Sequence, residues 1–108
     1  GQVYEIYRNI EEASVEFLKQ QICKKLKIHD SPVYRSFVGI LKDVNTAFNY
    51  GTDMDFAKAL FNVPLPERYQ WLEDKVDASL RNQNIPFEEY NEIMGYVGEL
   101  KGKEKYEQ

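Results

Sequence analysis

The twenty residues from Ser31 to Tyr50, SPVYRSFVGILKDVNTAFNY, constrain the chain more than any other stretch. On a helix of about 100° per residue, Val33, Phe37, Leu41, Val44 and Phe48 fall within about 80° of one another. Ile40 and Ala47 flank them on one side, and Tyr34 and Val38 on the other, while Arg35, Lys42, Thr46 and Asn49 lie opposite. An apolar arc covering about half the circumference is wider than one neighbour can bury, so this helix packs against at least two. Ser31 suits an N-cap, Pro32 the first helical position, and Gly51 the left-handed residue after the end. The stretch therefore reads as the central helix of an all-helical domain.

Other helices are expected on both sides of it. Asn9 and Glu12 resemble a capping box, which would start the main first helix at Ile10. Residues 1–8 would then be an arm, a separate turn or an extension of that helix. Its apolar positions, Ala13, Phe17, Leu18, Ile22 and Leu26, drift around the axis, as expected if its two ends meet different neighbours. Thr52 or Asp53 caps a short helix, Met54 to Phe61, expected to bury Phe56, Ala57, Leu60 and Phe61. Pro64 and Pro66 break the chain, because proline biases the preceding residue away from helical angles. Two further helices, 66–82 and 86–100, carry stripes at Leu65, Tyr69, Leu72, Val76 and Leu80 and at Phe87, Tyr90, Ile93, Met94, Val97 and Leu100. The short turn between them makes an antiparallel hairpin. The charged residues 101–108 should fray. No segment alternates like a strand. The expectation is an all-α compact bundle of four main helices plus one short helix, in a single domain spanning 1–108.

The net charge of −4 conceals a polarity. Residues 1–18 sum to −3, 19–42 to +5, 43–100 to −7 and 101–108 to +1. The basic stretch holds Lys19, Lys24, Lys25, Lys27, Arg35 and Lys42, a candidate nucleic-acid surface that would meet phosphate. A helix-turn-helix reading would make 66–82 the recognition helix, but that helix opens net acidic and its turn holds two prolines.

Signals for catalysis are weak. Asp74 and Asp77 with Glu89 and Glu92 form paired acid motifs on facing helices, a pattern that in principle holds Mg²⁺ for nucleotide hydrolysis. On the wheel, however, Asp74 and Asp77 sit about 200° and 140° from Leu72, away from the apolar stripe. They read as solvated acids near Lys75 and Arg81. One Cys (Cys23) and one His (His29) are too few for the usual zinc sites, and one Cys excludes an internal disulfide. Cys23 reads as a small, partly buried helix residue, and His29 as a residue near a helix C-terminus, where the dipole suits it. No phosphate-binding glycine loop occurs. No catalytic residue, cofactor or metal site is expected.

The leading expectation is thus a non-enzymatic protein-interaction or regulatory module, a small accessory or inhibitory protein that binds a macromolecular partner. Arg68, Trp71, Asp74, Asp77, Glu88, Glu92 and Tyr96 are its candidate contacts, since acids steer toward basic partners and aromatics anchor interfaces. Tyr50 lies similarly at the edge of a stripe. Asn45, polar inside the central apolar arc, is expected to cap a neighbouring helix or to fix register across a helix–helix or dimer interface. Charge polarity also permits self-association into a homodimer. No apolar run is long enough to cross a bilayer and the start lacks a signal-peptide pattern. A reducing, cytoplasmic location is expected. The first residue is Gly, which suggests a processed or excised chain.

Overall fold

The first helix, α1, runs from Gln2 to Leu26 without a break at Asn9. The expected capping box does not form. Asn9 Nδ2 instead donates to the Glu99 carbonyl (3.4 Å), and Glu12 accepts from Arg8 Nε (3.3 Å). At about 1.5 Å per residue this helix is about 37 Å long, close to the 38 Å long dimension of the molecule. The computed structural model describes the backbone of residues 2–31 and 35–102, and the side chains of 6–31 and 36–102. The expected helix start at Pro32 and the side chains of Val33, Tyr34 and Arg35 lie outside the described residues, as does the tail beyond 102.

The remaining helices are α2 (Arg35–Phe48), α3 (Asp53–Asn62), α4 (Arg68–Arg81) and α5 (Phe87–Gly98). A 3₁₀ turn, Leu65–Glu67, leads into α4. No strand occurs among the described residues. The molecule measures 38 × 38 × 21 Å, so it is about two helix diameters thick. Helix α2 touches each of the other four, as its broad apolar arc requires, and α4 and α5 pair as the expected hairpin. Val38, Ile40, Leu41, Val44 and Ala47 from α2 are buried with Ile10, Ala13 and Phe17 from α1. Phe56, Ala57 and Leu60 from α3, Leu72 and Val76 from α4, and Ile93 and Val97 from α5 complete most of the core.

Local chemistry explains where the helices stop. Thr52 caps α3: its hydroxyl accepts from the Asp55 amide (3.1 Å), while Asp55 accepts from the Thr52 amide (3.4 Å). Gly51 is not the left-handed residue after α2. Asn49 takes that role, with φ 61°, and its amide donates to the Asn45 carbonyl. Gly51 serves close approach instead, because a Cβ there would stand 3.1 Å from Asp55 Oδ2. Lys27 (φ 56°) and Gln83 (φ 60°) end α1 and α4 in the same left-handed conformation. The paired bonds Ile28 N to Cys23 O and Lys27 N to Lys24 O, and Asn84 N to Ser79 O and Gln83 N to Leu80 O, are Schellman motifs. None of the three ends uses glycine.

The structure departs from the expected core at several positions. Ile22, Leu26 and Phe61, read as core from their spacing, are exposed, and so is Phe87. Ile10, Ala13, Ser14, Phe17 and Gln21 form the buried face of α1, which leaves Val15, Ile22 and Leu26 on the opposite side.

Candidate interaction surfaces

Three surfaces stand out: an acidic groove and a basic surface, which hold some of the residues that sequence reasoning singled out, and an apolar cleft. The first is a groove between α2 and α5 with a volume of about 460 Å³. Asp43 and Thr46 line its α2 side, and Glu88, Glu89, Glu92 and Tyr96 its α5 side, with Ala47, Pro86 and Ile93 between them. Glu88 and Glu89 lie in the first turn of α5, where carboxylates complement the helix dipole. None of the four acids forms an ion pair or hydrogen bond among the described residues, and no basic side chain lines the groove. A second hollow, lined by Ser36, Gly39, Ile40, Asp43, Tyr96 and Glu99, shares Asp43 and Tyr96 with it. Tyr96, 40% exposed, thus stands between two adjoining acidic hollows.

The other candidate contacts lie elsewhere. Asp74 accepts from Gln70 Nε2 (2.9 Å) on the exposed side of α4. Asp77 accepts from the Tyr90 hydroxyl (2.8 Å), a tie across the α4–α5 hairpin. That hydrogen bond, with burial second, raises the Tyr90 pKa. Tyr69 is also raised, first by burial and then by the nearby Glu73. The paired acid motifs therefore do not converge. Asp77 is engaged inside the hairpin while Glu89 and Glu92 face the groove, and no group of three metal-ligating side chains occurs among the described residues.

Arg68 is not a surface anchor. It is 6% exposed, with Nε on the Val63 carbonyl and Nη2 on the Phe61 carbonyl, both at 2.8 Å. Its Nη1 reaches Glu11 of α1 (3.4 Å), and its guanidinium lies over the Phe61 ring at 5.3 Å. Burial lowers its pKa, and the charge of Glu11 opposes that shift. The first residue of α4 thus closes the last turn of α3, whose carbonyls have no intrahelical donors.

Trp71 and Tyr50 belong to one aromatic cluster, from which Tyr50 remains 43% exposed. Trp71 lies 5.4 Å from Phe56 and 6.3 Å from Tyr50, and Tyr50 lies 5.8 Å from Phe56. Lys75, expected beside the acids of α4, places its Nζ over the Trp71 and Phe48 rings at 4.7 and 4.9 Å. Asn45 pins the loop that follows α2. Its Nδ2 donates to the Gly51 carbonyl and to Asp53 Oδ1, both at 3.0 Å.

The second surface is basic. Lys24, Lys25, Lys27 and Lys42 are exposed, and none has an ion-pair partner among the described residues. Lys19 is committed locally to Glu16 (3.0 Å) and Asp30 (3.1 Å), which raise its pKa, Glu16 first. The described side chains do not include Arg35.

Sequence reasoning missed the third surface, an apolar cleft of about 270 Å³ between α1 and α3. Val15, Leu18, Ile22, Cys23 and Phe61 line it, with Lys19 the one charged member. The drift of apolar positions along α1 was its signal: residues 15, 22 and 26 share a face that excludes Ala13 and Phe17. Cys23 is half-buried and free, as expected.

No helix among the described residues is long and apolar enough to cross a membrane. In comparisons with known proteins, no family model, curated protein or solved structure matches the chain.

Proposed function

We propose that the chain is a non-enzymatic protein-interaction module that receives a basic segment of a macromolecular partner in the α2–α5 groove. One observation carries this reading: four carboxylates without partners among the described residues, Asp43, Glu88, Glu89 and Glu92, line one groove beside an exposed tyrosine. Like charges gathered without counter-ions repel one another, and a Lys- or Arg-rich segment relieves that repulsion while it docks. Tyr96 adds a flat, half-exposed ring on which an aliphatic stem or a guanidinium can rest. Competition for a basic surface fits an accessory or inhibitory role, because such surfaces on a partner commonly meet nucleic acid.

A fluorescein-labelled arginine-rich peptide, titrated by anisotropy, tests the reading. Binding should weaken steeply between about 50 and 200 mM salt, as screening predicts. Glu88→Gln/Glu92→Gln should weaken it at least about tenfold. Equal affinity for the variant and wild type would refute the groove as the site.

The exposed Lys24, Lys25 and Lys27 support a second reading, a nucleic-acid-binding regulator. Salt-sensitive binding of a duplex or single-stranded oligonucleotide that is lost on substituting these three by Glu would establish it. An absence of binding at about 50 mM salt would reject it.

A further inference from the structure

We propose that the C-terminal half of α1 docks reversibly on the surface of a bilayer that carries anionic lipid. The exposed strip of Val15, Ile22, Leu26 and Ile28 enters the interface, and Lys24, Lys25 and Lys27 meet the headgroups. At about 100° per residue, Val15, Leu18 and Leu26 fall within about 40° of Ile22, and Lys19 and Lys25 flank the strip at about 60° on either side. Ala13 and Phe17, on the far side of the helix, are buried in the core. Leu26 is 60% exposed and Ile28 56%, with Val15 and Ile22 at 45% and 42%. Apolar side chains exposed singly need no explanation, but these are contiguous, and Leu18 and Phe61 adjoin them in one cleft. Because α1 is about as long as the molecule, its last turn stands at an edge, where it can approach a flat surface.

Charge selects the occupant. Every described acid of α1 and of the turn after it is already neutralised. Glu11 pairs with Arg68 (3.4 Å), Glu12 with Arg8 (3.3 Å), and Glu16 and Asp30 both pair with Lys19 (3.0 and 3.1 Å). Lys24, Lys25 and Lys27 are exposed and have no ion-pair partner among the described residues. The charge left over is therefore positive. It is concentrated where the apolar side chains are most exposed, in the run Lys24-Lys25-Leu26-Lys27-Ile28. A second copy of the same face offers only lysines and acids that are already paired. A nucleic acid satisfies the lysines but gives Leu26 and Ile28 no apolar medium. An anionic bilayer supplies both: headgroups for the ammonium groups and acyl chains beneath them, while the lysine stems lie along the strip with their heads in the headgroup layer.

Size sets the strength. From Val15 to Ile28 the strip is about 20 Å long, and it holds only a few apolar side chains beside one basic cluster. Such a surface associates reversibly and depends on both components. It is separate from the α2–α5 groove, so this inference stands or falls independently of the interaction with a basic segment, and it competes with nucleic acid for the same lysines.

Co-sedimentation with phosphatidylcholine vesicles containing about 30% phosphatidylserine tests it. The protein should bind them at about 50 mM salt, lose most of that binding at about 200 mM, and ignore vesicles of phosphatidylcholine alone. Replacing Lys24, Lys25 and Lys27 together by Gln should weaken binding roughly 100-fold. Leu26→Ser/Ile28→Ser keeps every charge, so it separates insertion from ionic adhesion; it should weaken binding at least about tenfold with an unchanged helical circular dichroism spectrum. A dye whose emission shifts on leaving water, attached at Ile28→Cys in a Cys23→Ser background, should shift to the blue on the anionic vesicles. The dye reports insertion even if the double serine variant fails to fold. No binding to anionic vesicles at the lower salt, binding indifferent to Leu26 and Ile28, or an unshifted dye overturns the proposal. Titration with a duplex oligonucleotide and sedimentation velocity without lipid identify the alternatives. A duplex bound more tightly than the vesicles through the three lysines assigns the face to nucleic acid, and lipid-free self-association that Leu26→Ser/Ile28→Ser abolishes assigns it to a second copy; either result overturns the bilayer.

Discussion

Replacing Arg68 by Met should destabilise the protein by about 2–3 kcal/mol, a large part of the total stability of a domain this size. Met keeps most of the side chain's stem, so the change isolates the guanidinium. Two charge-assisted hydrogen bonds at 2.8 Å, to the Phe61 and Val63 carbonyls, disappear. Each is worth about 1.5–3 kcal/mol, and loss of the contact over Phe61 adds roughly 0.5–1 kcal/mol. Two effects offset part of that sum: the guanidinium no longer has to be desolvated, and the freed carbonyls, near a half-exposed loop, regain some water. The ion pair with Glu11 adds little, because it is long and the Glu11 side chain is 29% exposed. Urea unfolding followed by fluorescence of the single tryptophan, Trp71, should show the midpoint falling by about 1–2 M with an unchanged slope. Arg68→Lys, which keeps the charge but not the fork, should fall between. Glu11→Gln should stay within about 0.5 kcal/mol of wild type. If Arg68→Met lies within 0.5 kcal/mol of wild type, the clasp between α3 and α4 is not what holds the end of α3.

Two further perturbations follow from local geometry. Lys27→Gly and Gln83→Gly should each stabilise by up to about 1 kcal/mol, because both residues hold φ near 60°, where a Cβ is unfavourable; a thermal melt in which both variants lose stability would refute the assignment. Tyr69 and Tyr90 have folded-state pKa values raised above the ordinary tyrosine value, so the stability they contribute is complete below about pH 10 and is lost as pH rises through the raised values. Phenolate absorbance should lose a late-ionising step in Tyr90→Phe, and likewise in Tyr69→Phe; variants that lose only an ordinary step near pH 10 would contradict this.

Periodicity made the fold legible where a helix has one buried side and neighbours that cover it. The arc of α2 predicted several partners, and α2 touches four helices. Periodicity says which side of a helix is apolar but not whether a neighbour reaches it. Ile22, Leu26 and Phe61 were therefore read as core although each is at least 40% exposed. The ends of α1 and α4 were legible, but the left-handed residues that close them, Lys27 and Gln83, were not, because such a C-terminus is usually flagged by glycine and these carry none. Arg68 was misassigned for a related reason: its position at the edge of a stripe does not reveal that the end of α3 lies within reach of its fork. The acids divided in an instructive way. Asp74 and Asp77 are engaged by Gln70 and Tyr90, whereas Glu88 and Glu92, equally acidic in sequence, remain open because α2 approaches α5 only far enough to form a groove.

The most direct test of the interaction-module account is an ¹⁵N-resolved amide titration of the protein with a short arginine-rich peptide at low salt. Shifts should concentrate at Asp43, Thr46, Glu88, Glu92 and Tyr96, with Asp74 and the basic end of α1 unmoved. Shifts spread over all acidic positions, or none at millimolar peptide, would contradict the claim that the α2–α5 groove is a binding site.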